Sequence, residues 1–178
     1  QWSKFIKETT DFSVLIFHGK DRERNINFIQ ENDVVITTYN LIEINKINKI
    51  NKIKELHEIE WERVIFDEAH HMRNNNTNIF RGANKLKSQI RWLLTGTPIQ
   101  NSKKDFYSLC EQIGIHNKYY TNPNYLHNIV NNFILKRTKK EINLDLPEIN
   151  KIDIAVAWES EEEEMLAKEI HSILNFNK

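Results

Sequence analysis

The apolar positions of this chain fall into two rhythms. Short unbroken runs, Val14-Leu15-Ile16-Phe17, Val34-Val35-Ile36, Val64-Ile65-Phe66 and Trp92-Leu93-Leu94, each close on polar residues. Runs of that length bounded by polar turns are expected of strands buried in a parallel sheet. Between them the spacing turns helical. Residues 22–31 put Ile26 and Ile29 on one face, and residues 77–87 form a helix that Thr77 or Asn78 can cap. The segment from Ser102 carries Phe106, Leu109, Cys110 and Ile113 as an apolar stripe and stops at Gly114. The third and fourth runs lie about 25 residues apart, the length of one strand-helix-strand crossover. The pattern therefore predicts an α/β fold, a parallel sheet flanked by helices, with strands ending near Phe17, Thr37, Asp67 and Thr95. A further alternating stretch, residues 152–157, predicts another strand. Ser160 with Glu163 makes a capping box for a final helix. The acids at 161–164 suit the positive end of that helix rather than a metal.

The chemistry sits where the strands end. Val64-Ile65-Phe66 runs directly into Asp67-Glu68-Ala69-His70-His71. At the carboxyl end of a parallel strand, side chains face the crevice where α/β proteins bind ligands. Two acids there suit nucleotide triphosphate hydrolysis: Asp67 to hold Mg²⁺ through its water shell, and Glu68 to orient or deprotonate the attacking water. The alternative is that both acids only cap the following helix. The next strand closes on a second polar turn, Thr95-Gly96-Thr97-Pro98-Ile99-Gln100-Asn101. Parallel neighbours would bring both turns to one sheet edge. Val34-Val35-Ile36 ends on Thr37-Thr38-Tyr39. The two hydroxyls can hold a nucleic-acid phosphate without reading sequence, or are ordinary β-branched strand residues. His70 and His71 are adjacent, so they do not share a helix face and do not suggest a metal site.

Composition narrows the reading. Lys plus Arg and Asp plus Glu each total 25 among 178 residues, so the net charge is zero. Any nucleic-acid contact must come from a local patch and from backbone amides. The single cysteine, Cys110, excludes an intrachain disulfide and reads as a buried thiol. No apolar run is long enough to span a membrane. The chain begins with Gln rather than Met and reads as an excerpt of a longer intracellular protein. An Ile-Asn-Lys repeat at about residues 44–53 is a low-complexity expansion or a basic DNA-binding insert. Gly19-Lys20, the one Gly-Lys pair, is followed by Asp21 and lacks a Gly five residues earlier. It cannot cradle phosphates and reads as a turn.

Asp67-Glu68-Ala69-His70 together with Leu94-Thr95-Gly96-Thr97-Pro98-Ile99-Gln100-Asn101 resembles motifs II and III of the Swi/Snf family of helicase-like, DNA-dependent ATPases. Thr37-Thr38-Tyr39 is similar to the family's motif Ib. Leu135-Lys136-Arg137-Thr138-Lys139 is similar to its Leu-Arg-Arg-Thr-Lys string, with Lys136 in place of the first Arg. The resemblance implies a RecA-like P-loop NTPase lobe, here incomplete and without its P-loop, over residues 1–158. It implies a shortened helical protrusion at about 115–132, and a helix at 159–178 leading toward a second lobe. It also implies ATP and Mg²⁺ as cofactors, and double-stranded DNA, nucleosomes and the second ATPase lobe as partners. The location implied is the nucleus in a eukaryote, otherwise the cytoplasm or a viral factory. Asp67 and Glu68 are then catalytic. His70, Thr95, Gly96, Thr97 and Gln100 couple the site to the rest of the lobe, with His70 bonded toward Thr95 or Thr97. Thr37, Thr38, Lys136 and Arg137 contact DNA. A DEAH-type RNA helicase, a restriction-type helicase subunit and a degenerate non-catalytic lobe are the alternatives. The 178 residues alone are expected not to hydrolyse ATP.

Overall fold

The computed structural model describes the chain except residues 46–52, 138–140, 142–149, 153–157 and 175–178. Most of the Ile-Asn-Lys repeat, the end of the basic string at 138–139 and the strand expected at 152–157, apart from Ile152, lie outside the described residues. The chain forms two compact units, Gln1–Leu135 and Lys136–Lys178. The boundary expected near residue 158 falls inside the second.

The first unit opens with helix α1 (Trp2–Thr9) and strand β1 (Val14–Ile16). Then come α2 (Ile26–Gln30), β2 (Val34–Ile36), α3 (Tyr39–Ile42) and α4 (Glu55–Glu58). Strand β3 (Glu60–Phe66) leads through a 3-10 turn at Ala69–Met72 to α5 (Asn78–Lys85) and β4 (Lys87–Leu93). Helices α6 (Lys103–Gln112), α7 (Asn117–Tyr120) and α8 (Pro123–Phe133) follow. The second unit contains α9 (Glu161–Leu174), with Glu163 N donating to Ser160 Oγ at its start.

All the expected strands of this unit pair in parallel. Among the described residues they form two separate pairs rather than one hydrogen-bonded sheet. Strand β1 lies beside β2 with Val14 opposite Val34, and β3 beside β4 with Phe66 opposite Leu93. The start of the first pair is latched by Asp33, whose Oδ2 accepts from Ser13 N at 2.8 Å and Ser13 Oγ at 2.7 Å. Helix α2 is shorter than the periodicity of 22–31 suggests. Asn25 Oδ1 accepts from the amide of Asn27 at 3.0 Å, so the Asn side chain competes for the backbone and delays the helix start. Thr77 caps α5 through Phe80 N at 3.1 Å. Ser102 and Asp105 form a capping box on α6, and Gly114 stops that helix at φ +82°.

The core gathers Phe17, Ile29, Ile42, Leu56, Phe66, Met72, Phe80 and Leu109. Val64, Phe66 and Leu93 turn one face of the β3–β4 pair onto it. The opposite face departs from the expectation of strands buried on both sides. Ile65, Ile90 and Trp92 are exposed there, and the Arg63 guanidinium lies 4.5 Å from the Trp92 ring centroid. Helix α5 closes on the end of α3 at Gly82, where no side chain stands between the two backbones.

Candidate functional site

The two strand ends that carry the candidate chemistry meet at one edge. Leu94 N donates to Phe66 O at 2.9 Å, extending the β3–β4 ladder by one step. Ala69 N then donates back to Leu94 O at 2.8 Å. Asp67 and Glu68 are exposed between these two bonds. Glu68 adopts a left-handed backbone, φ +49° and ψ +48°, the one positive φ outside glycine among the described residues. Such a conformation costs roughly 1–3 kcal/mol and persists only where neighbours hold it. Here Asp67 Oδ1 accepts from Glu68 N at 3.0 Å, and Glu68 O accepts from His71 N at 3.1 Å.

Asp67 is held from two more directions. Trp2 Nε1, at the start of α1, donates to Asp67 Oδ2 at 2.7 Å. The Tyr39 hydroxyl, at the start of α3, donates to the Asp67 carbonyl at 2.7 Å. The Tyr39 ring stacks on Phe66 with centroids 6.3 Å apart and lies 5.4 Å from His71. Burial first, and then the charges of Asp67 and Glu68, push the phenol's pKa well up, so Tyr39 stays a donor at any physiological pH.

His70 does not reach toward Thr95 or Thr97 as expected. Its Nδ1 lies 3.1 Å from Glu68 Oε2. His70 also packs on His71, with centroids 4.6 Å apart.

The second turn is tied to the first by a residue the sequence did not single out. Arg73 Nη1 donates to Gln100 Oε1. Gln100 Nε2 donates to Thr97 Oγ1 at 3.1 Å, and Thr97 N donates to Thr95 Oγ1 at 3.2 Å. Gly96 is exposed within this loop. The loop's far end hangs on Asp105, whose Oδ2 accepts from the amides of Asn101 at 2.8 Å, Gln100 at 3.1 Å and Ser102 at 3.3 Å. These bonds, that from Asn101 foremost, hold its carboxyl below the ordinary range. The serine and the acid three residues on match a capping-box spacing; Tyr39 stood in the string Thr37-Thr38-Tyr39, where its contact had no signal, and Trp2 and Arg73 had no local signal at all.

Thr37 and Thr38 follow β2 at the same region, since Tyr39 comes next. Their hydroxyls differ. Thr37 Oγ1 donates to Phe17 O at 3.1 Å. Thr38 is exposed at the N-cap position of α3 and makes no side-chain cap bond. Lys136 and Arg137 are exposed at the start of the second unit. Gly19 takes φ +83° in the turn after β1, and its carbonyl accepts from Arg22 Nη1. That turn is closed on itself and offers no amide cradle.

Among the described residues no three His, Cys, Asp or Glu side chains cluster as a metal nest. One exposed carboxylate still fits Mg²⁺, which keeps several waters and takes further ligands from phosphates. Each oxygen of Asp67 receives one N–H, which leaves acceptor capacity on both. Among the described residues no helix is long and apolar enough to cross a membrane.

A sequence model of the SNF2-related domain matches residues 1–122. The chain is 38% identical over 109 residues to the helicase-like transcription factor of Homo sapiens, a match covering 61% of this chain and 11% of that protein. It is 41% identical over 97 residues to the DNA repair protein RAD5B of Arabidopsis thaliana, covering 54% of this chain and 8% of that one. The fold is similar to the SWI2/SNF2 ATPase core of Sulfolobus solfataricus in complex with double-stranded DNA. That likeness has a TM-score of 0.64 at 29% identity, and it covers 82% of this chain and 33% of that one. The chain thus spans about a tenth of the length of these curated relatives.

Proposed function

The chain belongs to the SNF2-related domain family, and from that premise we propose that it carries the acid-bearing half of the hydrolytic site of an ATP-driven translocase on double-stranded DNA. The P-loop and the second ATPase lobe lie, in this reading, elsewhere in a longer protein. The observation that carries it is the convergence of two polar turns at one sheet edge, through Ala69 N to Leu94 O and Arg73 to Gln100. A site that must sense both nucleotide and DNA needs that kind of direct mechanical link.

Asp67 holds the water shell of Mg²⁺, and Trp2 and the Glu68 amide fix its carboxylate. Glu68 orients the attacking water and takes its proton. Bound Mg-ATP would supply the phosphoryl group that the water attacks and a cation to neutralise charge as ADP leaves. His70 steers Glu68 from 3.1 Å. Gln100, Thr97, Thr95 and Gly96 form the loop that reports the state of the acids to the rest of the lobe. Thr38, with Thr37 behind it, meets a DNA phosphate; Lys136 and Arg137, in the second unit, offer cations for DNA contact of their own. Phosphate contacts position a protein without reading sequence, which suits a motor that acts anywhere on duplex DNA, nucleosomal DNA included. Remodelling or repair in the nucleus is the corresponding setting.

The test is Glu68→Gln in the full-length protein. The amide keeps the shape and cannot accept the proton, so turnover should fall by about 100-fold or more while nucleotide binding persists. Wild-type turnover in that variant would sink the assignment. Triplex displacement without fork unwinding is the expected signature of translocation. Fork unwinding, or stimulation by RNA alone, would favour an RNA helicase.

A further inference from the structure

We infer that Tyr39 is a positioning residue that couples the DNA-contacting turn at Thr37 and Thr38 to the acid-bearing turn at Asp67 and Glu68. The inference rests on the roles proposed above for those two turns. Tyr39 follows Thr38 directly and opens α3. A displacement of the chain at Thr38 therefore moves the start of α3 and the tyrosine with it. The phenol ends on the Asp67 carbonyl, 2.7 Å away. That carbonyl belongs to the peptide joining Asp67 to Glu68. Rotation of this one peptide changes ψ of Asp67 and φ of Glu68 together, and it swings the Glu68 N–H that holds Asp67 Oδ1. Glu68 sits in a left-handed conformation that persists only where its neighbours hold it, so loss of a bond to this peptide loosens the turn.

The ring and the hydroxyl have separable tasks. The ring lies half-buried on Phe66 and beside His71, contacts that a phenylalanine would keep. The hydroxyl alone reaches the peptide between the acids, and its proton is held in place by burial and by the two nearby carboxylates. Trp2 grips the Asp67 side chain from α1, on the far side of β1 in sequence, and has no continuity with the threonine turn. Tyr39 is thus the residue whose bond joins the two turns.

Tyr39→Phe in the full-length protein tests this. The ratio of duplex-stimulated to basal ATP turnover should fall about two- to tenfold, the range of one hydrogen bond, with nucleotide-free duplex affinity at the wild-type value. A tyrosine that only fills space would lower stimulated and basal turnover together, or neither. An unchanged ratio overturns the inference. A thermal melt of the variant sets the temperature below which the ratio is read. Thr38→Ala, alone and combined with Tyr39→Phe, closes the cycle. If the signal passes from Thr38 through Tyr39, the double variant loses no more stimulation than the stronger single one. Multiplicative losses would mean independent effects and would overturn the coupling. Glu68→Gln in parallel separates the two failures. If it is inactive while Tyr39→Phe keeps its ratio, only the coupling fails. If Glu68→Gln turns over normally, the assignment of the acids fails and takes the coupling with it.

Discussion

Gly82 offers the sharpest test of how the site is supported. It is buried in α5, against the end of α3. A methyl carbon added there would lie 2.6 Å from the Ile42 carbonyl carbon and 3.1 Å from Glu43 Cα, and closer still to the Ile42 oxygen. All three atoms are backbone, so no rotamer change relieves the overlap. The two helices must separate, and the bond that depends on their approach, Ile44 N to Asn78 O at 3.2 Å, weakens. Overpacking of this kind costs about 3 kcal/mol at the upper end of its usual range. Alanine recovers about 1 kcal/mol of helix propensity over glycine. A net loss of about 2 kcal/mol should lower the melting temperature by roughly 8 °C for a unit of this size. Calorimetry or far-ultraviolet circular dichroism on Gly82→Ala reads this directly. Because α3 begins at Tyr39, the displacement should also reach the peptide between Asp67 and Glu68. A variant melting within about 2 °C of the wild type would mean that α5 and α3 do not meet backbone to backbone, and the reasoning would fall.

Other outcomes follow from the same geometry. Trp2→Phe removes the 2.7 Å bond to Asp67 Oδ2, and in the full-length protein it should raise the Mg²⁺ needed for half-maximal turnover a few-fold; an unchanged Mg²⁺ titration would show that Trp2 does not orient the acid. Asp105 and Asp33 are both held below their ordinary pKa by hydrogen bonds to their charged forms, from Asn101 and Ser13 foremost. Their stabilisation is complete above the unfolded value of about 4 and is lost as pH falls through the lower folded value; melting temperature should drop on acidification below about pH 4, and Asp105→Asn should flatten that limb. Residues 1–178 alone should not turn over ATP, since no Gly-Lys pair here forms a phosphate cradle; steady turnover by the contaminant-free chain would refute that.

The strands were legible because their signal is local. Each apolar run is continuous and ends where polar residues force a turn, so Val14, Val34, Val64 and Trp92 all fall in or next to the observed strands. Thr77, Ser102 and Gly114 marked helix ends for the same reason: a cap acts within four residues. Most of what failed depended on a distant partner. The run Val64-Ile65-Phe66 looks alike whether one face or both are covered, and the structure leaves Ile65 half exposed beside Trp92. The start of α2 slipped because Asn25 competes for its own amides, and hydrophobic spacing is blind to that.

The same division runs through the site, and it explains which residues were overlooked. The adjacency of Asp67 and Glu68 is a fact of sequence, and the strand end before them is nearly so. Their support is not. The bond from Trp2 spans 65 residues, that from Tyr39 spans 28, and that from Arg73 to Gln100 spans 27. A glutamate in a left-handed turn carries no local advertisement, since neither glycine nor asparagine stands there to announce it. The conformation therefore has to be imposed from outside: by the ladder step between Phe66 and Leu94, by Ala69 on Leu94, and by Tyr39 on the intervening peptide. In that geometry His70 Nδ1 lies 3.1 Å from Glu68 Oε2. Arg73 is left to tie the two turns together. The acids come from one short stretch, whereas their orientation comes from α1, α3 and β4. On the roles proposed above, loss of the Trp2 indole or of the Tyr39 hydroxyl in the full-length protein should therefore disturb hydrolysis without touching either carboxylate.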